Sequence, residues 1–114
     1  MVVDFAASMV LVLVSGTSMV PTFDDGDLIF RYEPNEIGHT FEDVKVGDIV
    51  VVDSGSEEVG IVTHRVIDIE EGEGEDDDDN RYLVLKGDNN DNPIEDVDFP
   101  IYSENFKGIV VVAR

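Results

Sequence analysis

Short apolar runs, each stopped by Gly, Asp or Asn, recur along the whole chain and constrain its fold more than any other feature. They are Met9–Val14, Leu28–Tyr32, Asp48–Val52, Gly60–Ile69, Tyr82–Lys86 and Lys107–Ala113. Their length and their content of Val and Ile favour strands, because branched side chains fit a pleated surface better than a helical turn. No window of a dozen residues places apolar side chains at helical spacing; Pro34–Val44 leaves room for one turn. The reading is an all-β chain of six or more short strands, built as a coiled β-barrel or as curved antiparallel sheets, with one long acidic loop. At 114 residues, positions 1–114 make a single domain with one modest core.

The acidic loop is residues 70–80, EEGEGEDDDDN, which cannot bury apolar surface and is expected to close a hairpin between Gly60–Ile69 and Tyr82–Lys86. It lacks the alternating ligand spacing and central glycine of a calcium loop. Acidity extends beyond it: 27 Asp and Glu face 7 Lys and Arg, a net charge of −20. That sign excludes binding to nucleic acid, which requires a basic surface. It also repels itself unless salt screens it, and this points to a protein from a halophile. No cysteine is present, so there is neither a disulfide framework nor a thiolate metal site. His39 and His64, the two histidines, are too few for a zinc site. No metal or cofactor is expected. Phe5–Val14 is apolar apart from Ser8, but it falls short of the roughly 18–20 residues that span a bilayer and has no basic flank of a signal peptide.

Three segments carry residues able to do chemistry. In Ser15–Phe30, SGTSMVPTFDDGDLIF, a strand ends and a turn of small residues presents Ser18 beside Pro21. In Ile61–Ile69, IVTHRVIDI, strict alternation puts Val62, His64, Val66 and Asp68 on one face. A neutral imidazole there can take a proton from a serine hydroxyl. In Leu85–Asp98, LKGDNNDNPIEDVD, Asp88 stands just past a strand end, where it either caps the turn or orients an imidazole. His39 reads as a surface histidine, and Arg65 as the partner of a nearby carboxylate.

In combination these segments resemble the type I signal peptidases, in the branch found in archaea and the endoplasmic reticulum. The matching boxes are Ser18-Met19-Val20-Pro21, Gly26-Asp27, Gly47-Asp48-Ile49-Val50, His64-Arg65-Val66 and Gly87-Asp88-Asn89-Asn90, in the family's order over roughly residues 10–112. The resemblance implies a serine endopeptidase with Ser18 as nucleophile, His64 as general base, and Asp88 and Asp96 as supporting carboxylates. A lysine base, as in the bacterial branch, is absent from this strand. Asp96 lies two residues further from Asp88 than the pattern places it, so Asp91 and Asp98 compete for its role. The oxyanion hole would use the backbone N–H of Ser18; where some relatives add a hydroxyl two residues earlier, this chain has Gly16.

The implied substrates are exported precursor proteins carrying small residues, typically alanine, at the first and third positions before the cut. Such a peptide would lie extended along strand edges, with Met19, Val10 and Val12 as candidates for the pockets. The family is membrane-anchored with its catalytic domain on the extracytoplasmic side, and the expectation is an anchor trimmed from this chain. Two other readings compete: a self-cleaving repressor-type protease, which uses a lysine base, and a non-catalytic acidic β-barrel binding module.

Overall fold

A computed structural model describes residues 9–71 and 81–111. Its strands are β1 (Met9–Leu13), β2 (Leu28–Tyr32), β3 (Ile49–Asp53), β4 (Ile61–Glu70), β5 (Tyr82–Lys86) and β6 (Phe106–Ile109). Helical structure among the described residues is limited to two 3-10 turns, Phe41–Asp43 and Ser103–Asn105. The all-β expectation holds, with each apolar run becoming a strand within a few residues of its expected bounds. The first 3-10 turn falls inside the stretch that left room for one.

β1 and β2 form an antiparallel hairpin; the other strands make an antiparallel sheet in the order β5-β4-β3-β6. The barrel alternative is not formed. The two sheets meet along a seam, through a bridge between Arg31 and Val110 and a hydrogen bond from the Val111 N–H to the Phe30 carbonyl (2.8 Å), without closing. β4 and β5 pair as expected from Arg65–Lys86 to Glu70–Tyr82. Residues 72–80 of the acidic segment lie outside the described residues.

β3 is buried on both faces, which explains its unbroken Ile-Val-Val-Val run. Val50 and Val52 join Phe41, Val62, Val66, Leu83 and Leu85 in one cluster. Ile49 and Val51 join Val14, Met19, Ile29 and Val110 in another. Burying each such side chain contributes about 1.5–3 kcal/mol before entropy is counted. β3 is therefore the partition that gives each sheet its own core.

Two local features shape what surrounds the partition. Register shifts between Val66 and Asp68, so the extra residue of a bulge reverses the alternation of β4. Val62, His64 and Val66 point inward as strict alternation requires, but Asp68 is exposed and Ile69 packs on the core instead. At the seam, Gly108 has φ +150° and a Cβ there would come within 2.0 Å of the Tyr32 carbonyl oxygen. Only a residue without a side chain lets β6 approach β2 so closely.

Candidate active site

The β1–β2 hairpin is interrupted by a long excursion, and its neck is tied shut. The Val14 N–H donates to the Asp27 carbonyl (2.8 Å) and the Gly26 N–H to the Val14 carbonyl (2.9 Å). Gly26 takes φ +89°, a conformation glycine adopts without steric cost. Within the excursion the Gly16 N–H donates to Asp25 Oδ1 (2.8 Å) and the Phe23 N–H to the Met19 carbonyl (3.0 Å). Met19 is anchored in the second core cluster at 2% exposure, which fixes the backbone next to Ser18.

Ser18 and His64, 46 residues apart in sequence, meet. His64 Nε2 is 2.9 Å from Ser18 Oγ. Its other ring nitrogen, Nδ1, is 2.5 Å from Asp98 Oδ1. The imidazole is buried and shares the face of Val50, its cross-strand partner on β3. Asp98 is fully buried, and its second oxygen accepts the Ile94 N–H (2.8 Å). Its carbonyl accepts the Leu85 N–H of β5 (2.8 Å), so the carboxylate is carried on a turn stitched to the sheet that bears the histidine.

Asp98, and neither Asp88 nor Asp96, is the carboxylate against the imidazole. Asp96 is exposed and has φ +67°, the left-handed region that Asp enters more readily than most residues. The chain reverses there, which turns Asp96 outward and brings Asp98 back inside. Asp91 is exposed as well.

Asp88 faces Arg65. The guanidinium donates from Nε to Oδ1 and from Nη2 to Oδ2, both at 2.9 Å, and from Nη1 to the Gly47 carbonyl (2.8 Å). Thr22 Oγ1 adds a third donor to Asp88 Oδ2 (2.6 Å). The Arg65 bonds, helped by Thr22, hold the Asp88 carboxyl below its ordinary range, and the same contact raises the guanidinium. Around this clamp the GDNN turn grips the serine excursion. The Asn89 N–H donates to the Ser18 carbonyl (2.8 Å), Asn89 Nδ2 to the Thr17 carbonyl (3.2 Å), and the Asp88 N–H to Met19 Sδ (3.3 Å).

A cleft of about 620 Å³ opens at this point, with Ser18, His64 and Asn90 in its wall. Val12 and Met19 line it too, and so do Leu13, Val59, Ile61 and Ile94, which leave 48–65% of their surface exposed at its rim. Val10 is not part of the lining. His39 stacks on Tyr32 (3.6 Å between ring centroids, 7° between planes), away from the cleft. Among the described residues no three His, Cys, Asp or Glu side chains converge on a metal site, and no helix is long and apolar enough to cross a membrane.

Sequence comparison supplies relatives. Over 105 residues the chain is 36% identical to a Lachancea thermotolerans protein named signal peptidase complex catalytic subunit SEC11, a match covering 90% of this chain and 52% of the relative. A Saccharomyces cerevisiae protein of the same name is 38% identical over 85 residues, 75% of this chain and 44% of the relative. The chain spans about half the length of the curated relatives it matches. No family model matches it. No solved structure gives a significant match.

Proposed function

From the premise that this chain is a homologue of the SEC11 signal peptidase catalytic subunits, we propose that it is a serine endopeptidase that removes signal peptides from exported precursors. The observation that carries this reading is the relay Ser18 Oγ–His64 Nε2–His64 Nδ1–Asp98 at the wall of an open cleft. Ser18 Oγ attacks the scissile carbonyl while neutral His64 takes the hydroxyl proton at Nε2. The buried Asp98 holds the imidazole in the tautomer that leaves Nε2 free and offsets the charge that then forms. His64 returns the proton to the departing amine, and water repeats the cycle on the acyl-enzyme. Asp88 and Arg65 position the nucleophile's backbone rather than the imidazole, and Asp96 has no part.

Strand edges support an extended substrate. Among the described pairings, β1 has only β2 as partner, and β4 acquires its β5 partner only from Arg65 onward. The free edges of Val12–Ser15 and Ile61–His64 therefore flank the cleft and can each hydrogen-bond a peptide laid between them. Apolar walls at Met19, Val12 and Val62 suit small side chains such as alanine at the two specificity positions. Membrane association belongs to the same reading, supported by the exposed outer face of the hairpin, where Leu11 pairs with Phe30 and Leu13 with Leu28.

The test is hydrolysis, in molar salt, of a precursor peptide with alanine at the first and third positions before the cut. Turnover that disappears in Ser18→Ala and His64→Ala is expected. A folded protein inert across salt and pH would make the chain a non-catalytic binding module. Ser18-dependent cleavage of the chain itself, with the peptide untouched, would make it a self-processing protease.

A further inference from the structure

Gly87 opens the GDNN turn at a place where no left-handed backbone demands glycine, yet no other residue fits. A Cβ on Gly87 would lie 2.7 Å from Asn90 Nδ2, 2.7 Å from the Ser18 carbonyl oxygen and 3.1 Å from Ser18 Cβ. The amide nitrogen of Asn90 and the carbon bearing the nucleophile thus both lie close to the space a side chain at Gly87 would fill. Asn90 is held there by its main chain: its N–H donates to the Gly87 carbonyl (2.9 Å) and its carbonyl accepts Lys86 Nζ (2.7 Å). Its side chain makes no hydrogen bond among the described residues and lines the same cleft as Ser18 and His64. Asn89, its neighbour, has its amide occupied by the Thr17 carbonyl.

We infer that Asn90 Nδ2 is the second oxyanion donor of the Ser18 centre, supplying the hydrogen bond that Gly16, having no side chain, cannot give. This rests on the proteolytic reading above. As the Ser18 Oγ–carbonyl carbon bond forms, the proton passes to His64 Nε2 and the carbonyl π pair moves onto oxygen. That oxyanion accepts from the Ser18 N–H and from Asn90 Nδ2. When the tetrahedral species collapses, the pair returns to the carbonyl and the C–N bond breaks, the amine leaving with the proton from His64. A primary amide already in the cleft wall beside the nucleophile's backbone requires little reorganisation at the moment charge develops, which is the condition under which such a donor acts most strongly.

Asn90→Ala and Asn90→Asp, each confirmed as folded by circular dichroism, are compared with the parent chain on the alanine-containing precursor peptide and on a peptide aldehyde ending at the cleavage site. A fall in kcat of about 10²–10³-fold with KM within a factor of two or three is expected. Aldehyde affinity, which depends on a tetrahedral adduct at Ser18, is expected to fall in parallel, while the cleaved product peptide binds unchanged. Parent-like kcat in both variants overturns the assignment. So does a rise in KM alone, which would make Asn90 a ground-state contact to the peptide. A parent chain that cleaves nothing overturns the proteolytic reading instead, so the two failures are told apart.

Discussion

Asp98 has no exposed surface, and both its oxygens are engaged, one by the His64 ring and one by a backbone N–H. Asp98→Asn keeps the size but lets the side-chain amide favour the wrong tautomer. A loss in kcat of about 10⁴-fold with little change in KM is expected, read by steady-state hydrolysis. Asp88 makes a separate prediction. Its folded carboxyl is held low by Arg65, so the stability it provides is present above the unfolded carboxylate range, roughly pH 4, and is lost as pH falls through the lower folded value. Asp88→Asn is therefore expected to flatten the acid limb of the melting temperature against pH, measured by calorimetry. Ser18 and His64 were legible as a pair from their boxes. Asp98 was legible only as one of three rivals, because the left-handed reversal at Asp96 is a backbone event that residue counting does not register. Asn90 carried no chemical signal beyond its turn: its relation to Ser18 is set by the side chain that Gly87 lacks.

Strands were the readable part of the fold, since Val and Ile runs bounded by Gly and Asp encode length and burial directly. What escaped was how strands join. The bulge in β4 turns Asp68 out and Ile69 in, and alternation read straight through the sequence predicts the reverse. The seam escaped for a related reason: a glycine within an apolar run, such as Gly108, can mark a bulge, a turn or a close approach, and only packing separates these. Gly108→Ala would drive a methyl group into the Tyr32 carbonyl. The neighbour is backbone and cannot swing aside, so the hairpin must move. A loss of about 3 kcal/mol in chemical unfolding is expected, together with a loss of peptide hydrolysis. Gly108→Ala with parent stability would mean that the two sheets have slack where they meet.

For the molecule as a whole, the net charge of −20 is carried on a surface that also exposes Leu11, Leu13, Leu28 and Phe30 together on one hairpin face. Salt screens that self-repulsion. The melting temperature is therefore expected to climb steeply with KCl; a flat dependence to about 1 M would remove the salt-adaptation reading. Replacing Leu11 and Phe30 with Glu is expected to abolish flotation with zwitterionic vesicles while leaving short-peptide hydrolysis within a few-fold, since neither lines the cleft. Ser18 belongs to the excursion of one sheet and His64 to a strand of the other, so the Ser18–His64 pair is a joint and not a property of either half. A hairpin that swings away from its partner leaves every strand intact but parts Ser18 from His64. In rising urea, hydrolysis should fail at a lower concentration than the far-ultraviolet dichroism, making turnover the gauge of assembly and spectroscopy merely the gauge of strands.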